Sequence, residues 1–479
     1  MSENKRVEQE MAIICPCCAG LDVHKKTVVA CVRRMGKEGM VTKETREFST
    51  TTQAILAMGD WFACEGVTHV VMESTGVFWK PIWNLLEERF TQMLCNARHV
   101  KQVPGRKTDV ADCEWLAQLL QYGLLRGSFV PSRQQRDLRD LTRTRAQLIS
   151  DQTRVANRIH KILEDANIKL GSVASDILGV SGRAMLESII GGQEDPQELA
   201  ELARRRLRGK IPELRLALEG RIRDHHRFLL KSSYEQFKSF EQQIAVLSER
   251  IAAIMGAASP AYGANGPENA VADATTASDV PSAESSTSLE TPGPPPTEND
   301  TQASASSPRP LAFQQAVELL DEIPGIDRVT AQNIIAELGT DMNQFPSSDH
   351  LSSWAGVCPG NNESAGKRKT GKTTKGNRWL RRALNQASWA ASHTKHTYLS
   401  AFYRRIASRR GKKRAIVALG HSLLVVIYNM LDTCEHFIDL GEDFFDQLNP
   451  DGVARYHKKR IEKLGYAVTM ERIDVPVQM

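Results

Sequence analysis

The length, charge and cysteine content of the chain narrow the kinds of protein it can be. At 479 residues it is too long for one hydrophobic core, since single cores rarely exceed about 250–300 residues, and two or three domains are expected. The net charge of +5 is small but hides acidic and basic stretches in different places. The polar first residues, MSENKRVEQEM, lack the order of a secretory signal. The nine cysteines are mostly scattered, which argues against a disulfide framework. A cytoplasmic protein is therefore expected.

Residues 1–18 are predicted to be an N-terminal extension that ends in a cysteine cluster, CPCC. A zinc site needs about four ligands, usually in two spaced pairs, and the sequence offers no partner for this cluster. Small buried strand residues are therefore the favoured interpretation.

Residues 19–130 alternate between strand-like and helix-like patterns. AGLDVHKKTVVACVRR predicts two strands with a tight polar turn, and VTKETREFST predicts a third. A helix from about Thr52 to Cys64, the strand THVVMES, a helix with Pro81 in its first turn and the strand QMLCNA are expected to follow. Such alternation predicts an α/β layer with a partly parallel sheet.

Residues 131–255 are predicted to form a long helical coiled-coil arm. Apolar residues recur there at spacings of three and four: Phe237, Phe240, Ile244, Leu247, Ile251 and Ile254. This heptad seam predicts a helical partner, which is either another helix of the same chain or a second copy.

Residues 256–310 hold seven Asp or Glu and one basic residue, Arg309, in a background of Ala, Ser, Thr, Pro and Gly. This composition predicts a disordered acidic linker. A mainly helical C-terminal domain is expected over 311–433 and a tail over 434–479. The apolar stretch from Ala415 to Leu431 falls short of the ~20 residues that a bilayer requires, so it predicts a core helix and no membrane contact.

Four acidic residues are candidate metal ligands. Asp109 and Asp112, in GRKTDVADCEWLAQLL, can be explained as a helix cap and an acidic first turn. Asp22 and Glu73, however, lie in strand-like runs, where burial disfavours a carboxylate unless a cation compensates it. Four carboxylates could hold a pair of Mg²⁺ ions for phosphodiester cleavage, and both interpretations stay open from the residues alone.

The region from Ser364 to Arg414 contains sixteen Lys or Arg and no Asp or Glu. Fifty residues of one charge sign repel one another unless an anion compensates them, which indicates a nucleic-acid-binding region with aromatic residues available to stack on bases. The predicted nucleic-acid-binding residues are Lys367, Arg368, Lys369, Lys372, Lys375, Arg378, Arg381 and Arg382.

Ser364 lies in a Gly- and Asn-rich loop directly before these cations. It is either an ordinary loop hydroxyl or a phosphodiester nucleophile whose phosphate the cations hold. Upstream, IPGIDRVTAQNIIAELG resembles a helix-hairpin-helix, whose turn offers backbone amides to phosphate. Asp327 replaces the usual second glycine of that turn, so a structural role is an equal alternative.

Together these motifs resemble the DEDD transposases of the insertion-sequence one-ten family. The residues that carry the resemblance, over about 19–125 and 311–430, are GLDVHK around Asp22, MESTG around Glu73, GRKTDVADCEWLA around Asp109 and Asp112, and WAGVCPGNNESAGKRKTGKTTKGNRWLRRAL around Ser364. The chain departs from the family around its serine, where Glu363 and Ala365 stand in place of a frequent second serine and a glycine.

The resemblance implies a RuvC-like, RNase H-fold domain, a coiled-coil arm and a C-terminal transposase domain. It assigns Asp22, Glu73, Asp109 and Asp112 to a Mg²⁺-binding tetrad, with two ions, and Ser364 to covalent attack on DNA. It further implies donor and target DNA, a structured guide RNA and a homo-oligomer, either a dimer or a tetramer, in a nucleoid-associated recombinase. A RuvC-like nuclease acting on branched DNA and a non-catalytic nucleic-acid scaffold are the alternatives.

Overall fold

The structure is a computed structural model that divides into two compact units, Met1–Ser132 and Arg133–Met479. It describes residues 13–36, 40–73, 76–96, 100, 112–256, 310–360, 362–364, 367–371 and 373–471, with the backbone alone at 362–364 and 367–370. The linker predicted over 256–310 lies almost entirely outside the described residues.

The first unit is built on a five-stranded sheet, in the order β3-β2-β1-β4-β5. Its strands are β1 (Cys17–Val23), β2 (Thr27–Met35), β3 (Val41–Ser49), β4 (His69–Glu73) and β5 (Thr91–Cys95). The first three strands are antiparallel, whereas β4 runs parallel to both β1 and β5. The predicted partly parallel α/β layer is confirmed and is consistent with an RNase H-like domain.

Helices cover both faces of this sheet because β1, β2 and β4 carry buried apolar residues on both sides, whereas β3 at the edge is mostly exposed. Helices α1 (Thr52–Cys64) and α2 (Trp79–Leu86) bury one face, where Leu21 and Met72 pack. Helix α3 (Asp112–Gln121) buries the other with Leu116, Leu119 and Leu120, against Cys18, Val71 and Cys95.

The clustered cysteines lie in or beside β1. Cys15 and Cys18 are buried and Cys17 is half-buried, and burial raises the pKa of each of the three thiols. All nine cysteines are free thiols in the structure.

Two helices of 33 residues each, α4 (Arg133–Asp165) and α9 (Asp224–Gly256), open the second unit and pack on one another. Leu138 shares a core cluster with Ile251, and Leu163 shares another with Leu230, so the two helices run antiparallel. The seam predicted on α9 thus has a partner within the chain, while a coiled coil between copies stays a prediction.

Four short α-helices and one 3-10 helix (Arg205–Lys210) lie in the connection between α4 and α9. The α-helices are α5 (Leu170–Val173), α6 (Val180–Ile190), α7 (Pro196–Glu201) and α8 (Ile211–Leu218). They bury a core of their own with the nearby ends of α4 and α9. An ion pair of Arg183 on α6 with Glu241 on α9 joins this bundle to the long hairpin.

The rest of the second unit is helical apart from one short hairpin. Its elements are α10 (Phe313–Asp321), α11 (Arg328–Leu338), α12 (Ser348–Ala355), β6 (Asn362–Ser364), β7 (Lys367–Thr370), α13 (Arg378–His393), α14 (Tyr398–Arg410), α15 (Lys412–Thr433), α16 (Phe444–Gln447) and α17 (Pro450–Glu462). Leu138, Ile251 and Met255 join the core of this helical region, so the base of the long hairpin is packed into it.

Helix α15 has 22 residues and is longer than the apolar stretch Ala415–Leu431, because it begins at Lys412 and ends at Thr433. Within the described residues it is the one helix that passes a length and hydropathy test for spanning a bilayer. Its buried residues Leu419, Leu423 and Ile427 belong to the core cluster that also contains Leu384 of α13. This packing is what a core helix requires.

Candidate active site and nucleic-acid interface

Asp22 and Glu73 lie side by side on two neighbouring strands. Strands β1 and β4 are parallel, and Asp22 and Glu73 come one residue beyond the paired positions Leu21 and Met72. Because Leu21 and Met72 both pack under α1 and α2, the alternation of strand side chains turns both carboxylates toward the α3 face.

Gly20 determines how closely α3 approaches this face. A Cβ atom at Gly20 would lie 2.2 Å from the carbonyl oxygen of Cys113 and 2.5 Å from the backbone nitrogen of Ala117. The thiol of Cys18 donates to the carbonyl of Ala117 at 3.3 Å, and the amide of Ile14 donates to that of Gln121 at 2.9 Å. Helix α3 therefore runs antiparallel to β1, with its N-terminus toward Asp22.

Asp112 is the first residue of α3 and is exposed, at the end of the helix that approaches Asp22. Burial raises the pKa of the neighbouring Cys113 thiol to about 12, and the negative charges near it, Asp22 among them, add to the rise. The carboxylate of Asp22 is one-third exposed and lies 3.2 Å from Nε2 of His24. Asp109 lies outside the described residues.

The donors present suit a hard divalent cation, which prefers carboxylate oxygens. Asp22, Glu73 and the N-terminus of α3 share one face and one end of the sheet. No group of three or more His, Cys, Asp or Glu side chains within the described part of the chain is close enough to hold a metal. The arrangement fits the predicted tetrad in chemistry and topology, and the ligand set stays a prediction.

Ser364 lies in the second unit, at the end of the hairpin formed by β6 and β7. It is the last residue of β6 and is paired with Lys367, the first residue of β7. Lys367, Arg368 and Lys369 follow one another along β7, and Lys372 lies outside the described residues. The predicted serine is thus adjacent in backbone register to the first of the predicted cations.

Two glycines close the loop that carries this hairpin. Gly356 follows α12 with φ +74°, and Gly376 precedes α13 with φ +46°, both in the left-handed region that favours glycine. A Cβ at Gly376 would lie 2.2 Å from the carbonyl oxygen of Ala355, and one at Gly356 would lie 2.8 Å from Cα of Gly376. The two ends of the Ser364 loop are therefore held in direct backbone contact.

A buried carboxylate anchors the residue that follows the loop. Asn377 caps α13, accepting from the amide of Trp379 at 3.0 Å, and its side-chain amide donates to Glu337 at 2.7 Å. Glu337 is only 2% exposed and accepts two hydrogen bonds from Arg143, at 2.7 and 2.8 Å. Arg139 lies 3.6 Å from the same carboxylate, and burial lowers its pKa to about 10.

These contacts tie three elements together at the start of α13. Arg139 and Arg143 belong to α4, Glu337 to α11, and Asn377 to the N-terminus of α13. A buried charge is tolerated when it is paired and hydrogen-bonded, as Glu337 is. The long hairpin therefore helps to fix the point at which the Ser364 loop returns to the core.

Three of the predicted nucleic-acid-binding arginines line a groove of about 1040 Å³: Arg378, Arg381 and Arg382. All three project from α13, and the opposite walls come from α4, the turn before α11 and the start of α11. Lys375 is exposed beside the groove, and its carbonyl accepts from Arg381 at 3.2 Å. The basic residues that are close in sequence are thus also gathered in space.

The aromatic residues of this region divide into two sets. Tyr398, Phe402 and Tyr403 pack against the helical core, as expected of structural residues. Trp379 is half-buried between two arginines, whereas Trp389 is 57% exposed and lines the groove. Of the aromatic residues in the basic region, Trp389 is therefore the one best placed to contact a ligand.

The turn between α10 and α11 has mainly structural contacts. Asp327 caps α11, accepting from the amide of Thr330 at 2.9 Å. A Cβ at Gly325, where φ is +92°, would lie 2.4 Å from the backbone nitrogen of Ala391 on α13. The glycine is needed for this close approach, and phosphate binding by the turn stays a prediction.

Sequence reasoning missed Gly20, Glu337, Asn377 and the Gly356–Gly376 contact. Two of these leave a local signal, because a glycine inside a strand marks close backbone approach and an Asn before a helical pattern marks an N-cap. Glu337 leaves none, since its arginine partners lie almost two hundred residues earlier.

Two protein-family models match the chain. Residues 19–168 match a DEDD transposase model of the IS110 type, and residues 317–404 match a model described as "Transposase IS116/IS110/IS902 family". No individual curated protein matches the sequence. The two matches contain the strand-borne acids, α3, the Ser364 hairpin and α13, and they confirm the predicted resemblance to the IS110 transposases.

Proposed function

We propose that this chain, a DNA transposase/recombinase on the evidence of both family models, cuts and rejoins DNA through Ser364 with the help of the carboxylates Asp22, Glu73, Asp109 and Asp112. The proposed DNA is that of an insertion sequence, at the ends of the element and at its target. The single observation that carries the proposal is the in-register placement of Asp22 and Glu73 on the α3 face, in a region that matches a DEDD transposase.

In the proposed reaction, Oγ of Ser364 attacks the phosphorus of a phosphodiester. A P–Oγ bond forms, one deoxyribose oxygen leaves with the electron pair of the broken P–O bond, and the serine proton is passed on to it. A hydroxyl of the joining strand then attacks the same phosphorus and releases Ser364. The bond energy is conserved in the protein–DNA link, so rejoining needs no further co-reactant.

The four carboxylates would hold Mg²⁺, in two ions on the family pattern. When bound, Mg²⁺ would supply charge stabilisation for the attacking and leaving oxygens of phosphodiester cleavage. The protein's own contribution is to present Asp22 and Glu73 from a rigid sheet and Asp112 from a helix that Gly20 holds against that sheet.

The region around Ser364 would hold the reacting phosphate. Lys367, Arg368 and Lys369 follow the serine on the partner strand of the hairpin, and their charges oppose that of the phosphate. The Gly356–Gly376 contact and the Asn377–Glu337 hydrogen bond restrict the movement of the loop ends. Such restriction is what a nucleophile requires for accurate positioning.

The test is a covalent adduct between the full-length chain and an end-labelled DNA that carries the element end, detected on a denaturing gel. Ser364→Ala should lower adduct formation by about 10³-fold or more, because the attacking atom is removed. The matched control is Ser353→Ala, which removes an exposed hydroxyl from α12 and should leave the adduct unchanged. An adduct that persists in Ser364→Ala would mean that Ser364 is not the nucleophile.

A second arm separates the recombinase from its two rivals. Asp112→Asn should abolish Mg²⁺-dependent strand transfer and leave nucleic-acid binding in EDTA intact. Normal strand transfer in that variant would favour the non-catalytic scaffold. Cleavage of branched DNA without any adduct, in the wild-type chain, would favour a RuvC-like nuclease that uses water.

The family resemblance also supports a structured guide RNA and a homo-oligomer, a dimer or a tetramer, as partners. The sixteen basic residues between Ser364 and Arg414 supply the charge that RNA and DNA backbones require. Sequencing of RNA that copurifies with the chain at low salt tests this partner. Recovery of only random fragments would count against a dedicated guide.

A further inference from the structure

One face of α13 carries cations, amides and an exposed indole in succession. Residues 378, 381, 382, 385, 386 and 389 are spaced by three and four, which places them on one side of a helix. They are Arg378, Arg381, Arg382, Asn385, Gln386 and Trp389, and all six line the groove of about 1040 Å³. From Arg382 to Trp389 the helix rises by about 10 Å.

The arginines at one end of this face are oriented to bind an anion. Arg381 donates to the carbonyls of Thr374 and Lys375 at 3.2 Å, and Arg382 donates to Oγ of Ser150 at 2.7 Å. These acceptors are neutral, so the positive charges are oriented without being cancelled. A guanidinium has five N–H donors, which leaves further donors for a phosphate.

Asp327 is the one carboxylate among the described residues that line the groove, and it lies on the opposite wall. It already accepts the amide of Thr330 at the start of α11. Its charge disfavours a phosphate at that wall and thereby directs an anion to the α13 side.

The other end of the face is apolar and uncovered. Trp389 is 57% exposed, and the ring of His393 supports it from the following turn at a centroid distance of 4.7 Å. Asn385 and Gln386 are exposed one turn before it and offer amide donors and acceptors. A large exposed indole beside three arginines is an arrangement that nucleic-acid bases and phosphates complement together.

We propose that this groove binds an unpaired nucleotide, with its phosphates on Arg378, Arg381 and Arg382 and its base stacked on Trp389. Asn385 and Gln386 lie between the two ends, where their amides meet the edge of the base. The inference rests on the proposed function, in that it assumes a nucleic-acid substrate, and it adds the strandedness of the ligand at this site.

The volume and the stacking surface both favour an unpaired nucleotide over a duplex. A groove of about 1040 Å³ is at the upper end of the range for small-ligand sites, which suits one or a few nucleotides. A base within a duplex is already stacked on its neighbours and would have to leave them to reach Trp389. Single-stranded DNA and single-stranded RNA share the required chemistry.

The test measures binding of the full-length chain to fluorescein-labelled oligo(dT), oligo(U) and a DNA duplex of equal length, in EDTA and over a range of salt. Trp389→Ala should weaken single-strand binding by about 5- to 150-fold, the range for loss of one base–aromatic stack, with an unchanged salt slope. Duplex binding should change by less than about twofold. A larger loss for oligo(U) than for oligo(dT) would assign the site to RNA, and the reverse to DNA.

Two further variants separate stacking from a structural effect. Trp389→Phe retains a ring and should restore most of the single-strand affinity, whereas Tyr466→Ala removes another exposed ring of the same unit and should change nothing. Arg381→Gln should weaken binding of all three probes and reduce the salt slope by about one charge.

Unchanged single-strand binding in Trp389→Ala, or an equal loss for single strand and duplex, would overturn the inference and leave the proposed transposase chemistry intact. Absence of binding to any probe by the wild-type chain would overturn both, because a transposase must hold DNA. Metal is absent throughout, so loss of the carboxylate site does not affect the outcome.

Discussion

In the first unit a missing side chain positions α3, whereas in the second unit a buried charge positions α13. Gly20 lets the backbone of α3 lie directly on β1, and nothing larger than hydrogen fits between them. Glu337 instead joins Arg143 of α4 to Asn377 at the start of α13 through hydrogen bonds of 2.7–2.8 Å. Each contact fixes the start of a helix that bears on a proposed site. Helix α3 begins with Asp112, and α13 begins where the Ser364 loop ends.

Different substitutions should disrupt the Gly20 contact and the Glu337 network. A close backbone contact is disrupted by any added atom, because interiors are packed as densely as crystals. A buried charge network is disrupted by removal of one partner, because the remaining charges stay buried without compensation. Substitutions that add volume at Gly20 or remove charge at Glu337 therefore test how each helix is positioned.

The largest effect is expected for Glu337→Ala. The substitution leaves Arg139 and Arg143 next to a cavity without their carboxylate and should lower the free energy of unfolding of the second unit by about 3–5 kcal/mol. Glu337→Gln keeps the shape and one acceptor and should cost less. Hydrogen exchange of the α11 and α13 amides measures the loss.

Glu318→Ala is the matched control for Glu337, since it removes an exposed carboxylate from the adjacent helix α10. Its effect should stay within about 0.5 kcal/mol. A cost below about 1 kcal/mol for Glu337→Ala would show that the network contributes little and that packing alone positions α13.

A smaller effect is expected for Gly20→Ala. The new methyl group would lie 2.2 Å from the carbonyl oxygen of Cys113, a backbone atom, so α3 must move away from β1. Overpacking of this kind costs about 1–3 kcal/mol. Faster exchange of the α3 amides should accompany a loss of Mg²⁺-dependent DNA cleavage, with oligonucleotide binding in EDTA unchanged.

The control for this position is Gly127→Ala in the same unit. There the added Cβ meets only the flexible side chain of Met93, at an ordinary contact distance of 3.4 Å. Full cleavage activity in Gly20→Ala would mean that the close approach of α3 does not matter to the site.

The smallest effect concerns an exposed contact of the second unit, between the tail and α14. The pKa of Glu442 is lowered because His396 hydrogen-bonds it, with a further contribution from Arg404. Since the folded-state pKa is depressed, the stabilisation is present above about 4.5 and is lost as pH falls through the folded value. The amide of Tyr398 donates to Asp439 of the tail. Its hydrogen-exchange rate, corrected for the pH dependence of the intrinsic rate, should therefore rise as pH falls.

Glu442→Gln should remove the pH dependence of the corrected Tyr398 exchange rate and keep that rate at its higher, low-pH value throughout. A pH dependence that persists in Glu442→Gln would place the titrating group elsewhere in the tail. Because His396 and Arg404 are exposed and Glu442 is only half-buried, salt should also weaken the contact, in contrast to the buried Glu337 network.

Much of the first unit could be predicted because its signals are local. The helix was predicted from about Thr52 to Cys64 and has these bounds in the structure, and all five strands were predicted from apolar alternation and turn residues. Asp22 and Glu73 attracted attention as acids on strands, and the register of β1 and β4 then placed them together. Asp109 stays a prediction outside the described residues.

The second unit was predicted less completely because its decisive contacts join distant segments. The seam on α9 indicated a helical partner but left open whether this belonged to the same chain. Helix α9 packs against α4 of the same chain, and a coiled coil between copies stays a prediction. The arginines of α13 were recognised as basic residues, yet the groove they line also needs residues of α4 and of the turn before α11.

The sequence by itself determined the alternation of elements, the basic region, the acids on strands and the family resemblance, because periodicity, charge and motifs are properties of neighbouring residues. Only the tertiary structure decided that Gly20 lies under α3, that Glu337 pairs with α4 and that Trp389 stays exposed beside three arginines. The physical reason is that a local pattern specifies which face of an element is apolar, whereas close packing of whole elements selects the partner that covers it.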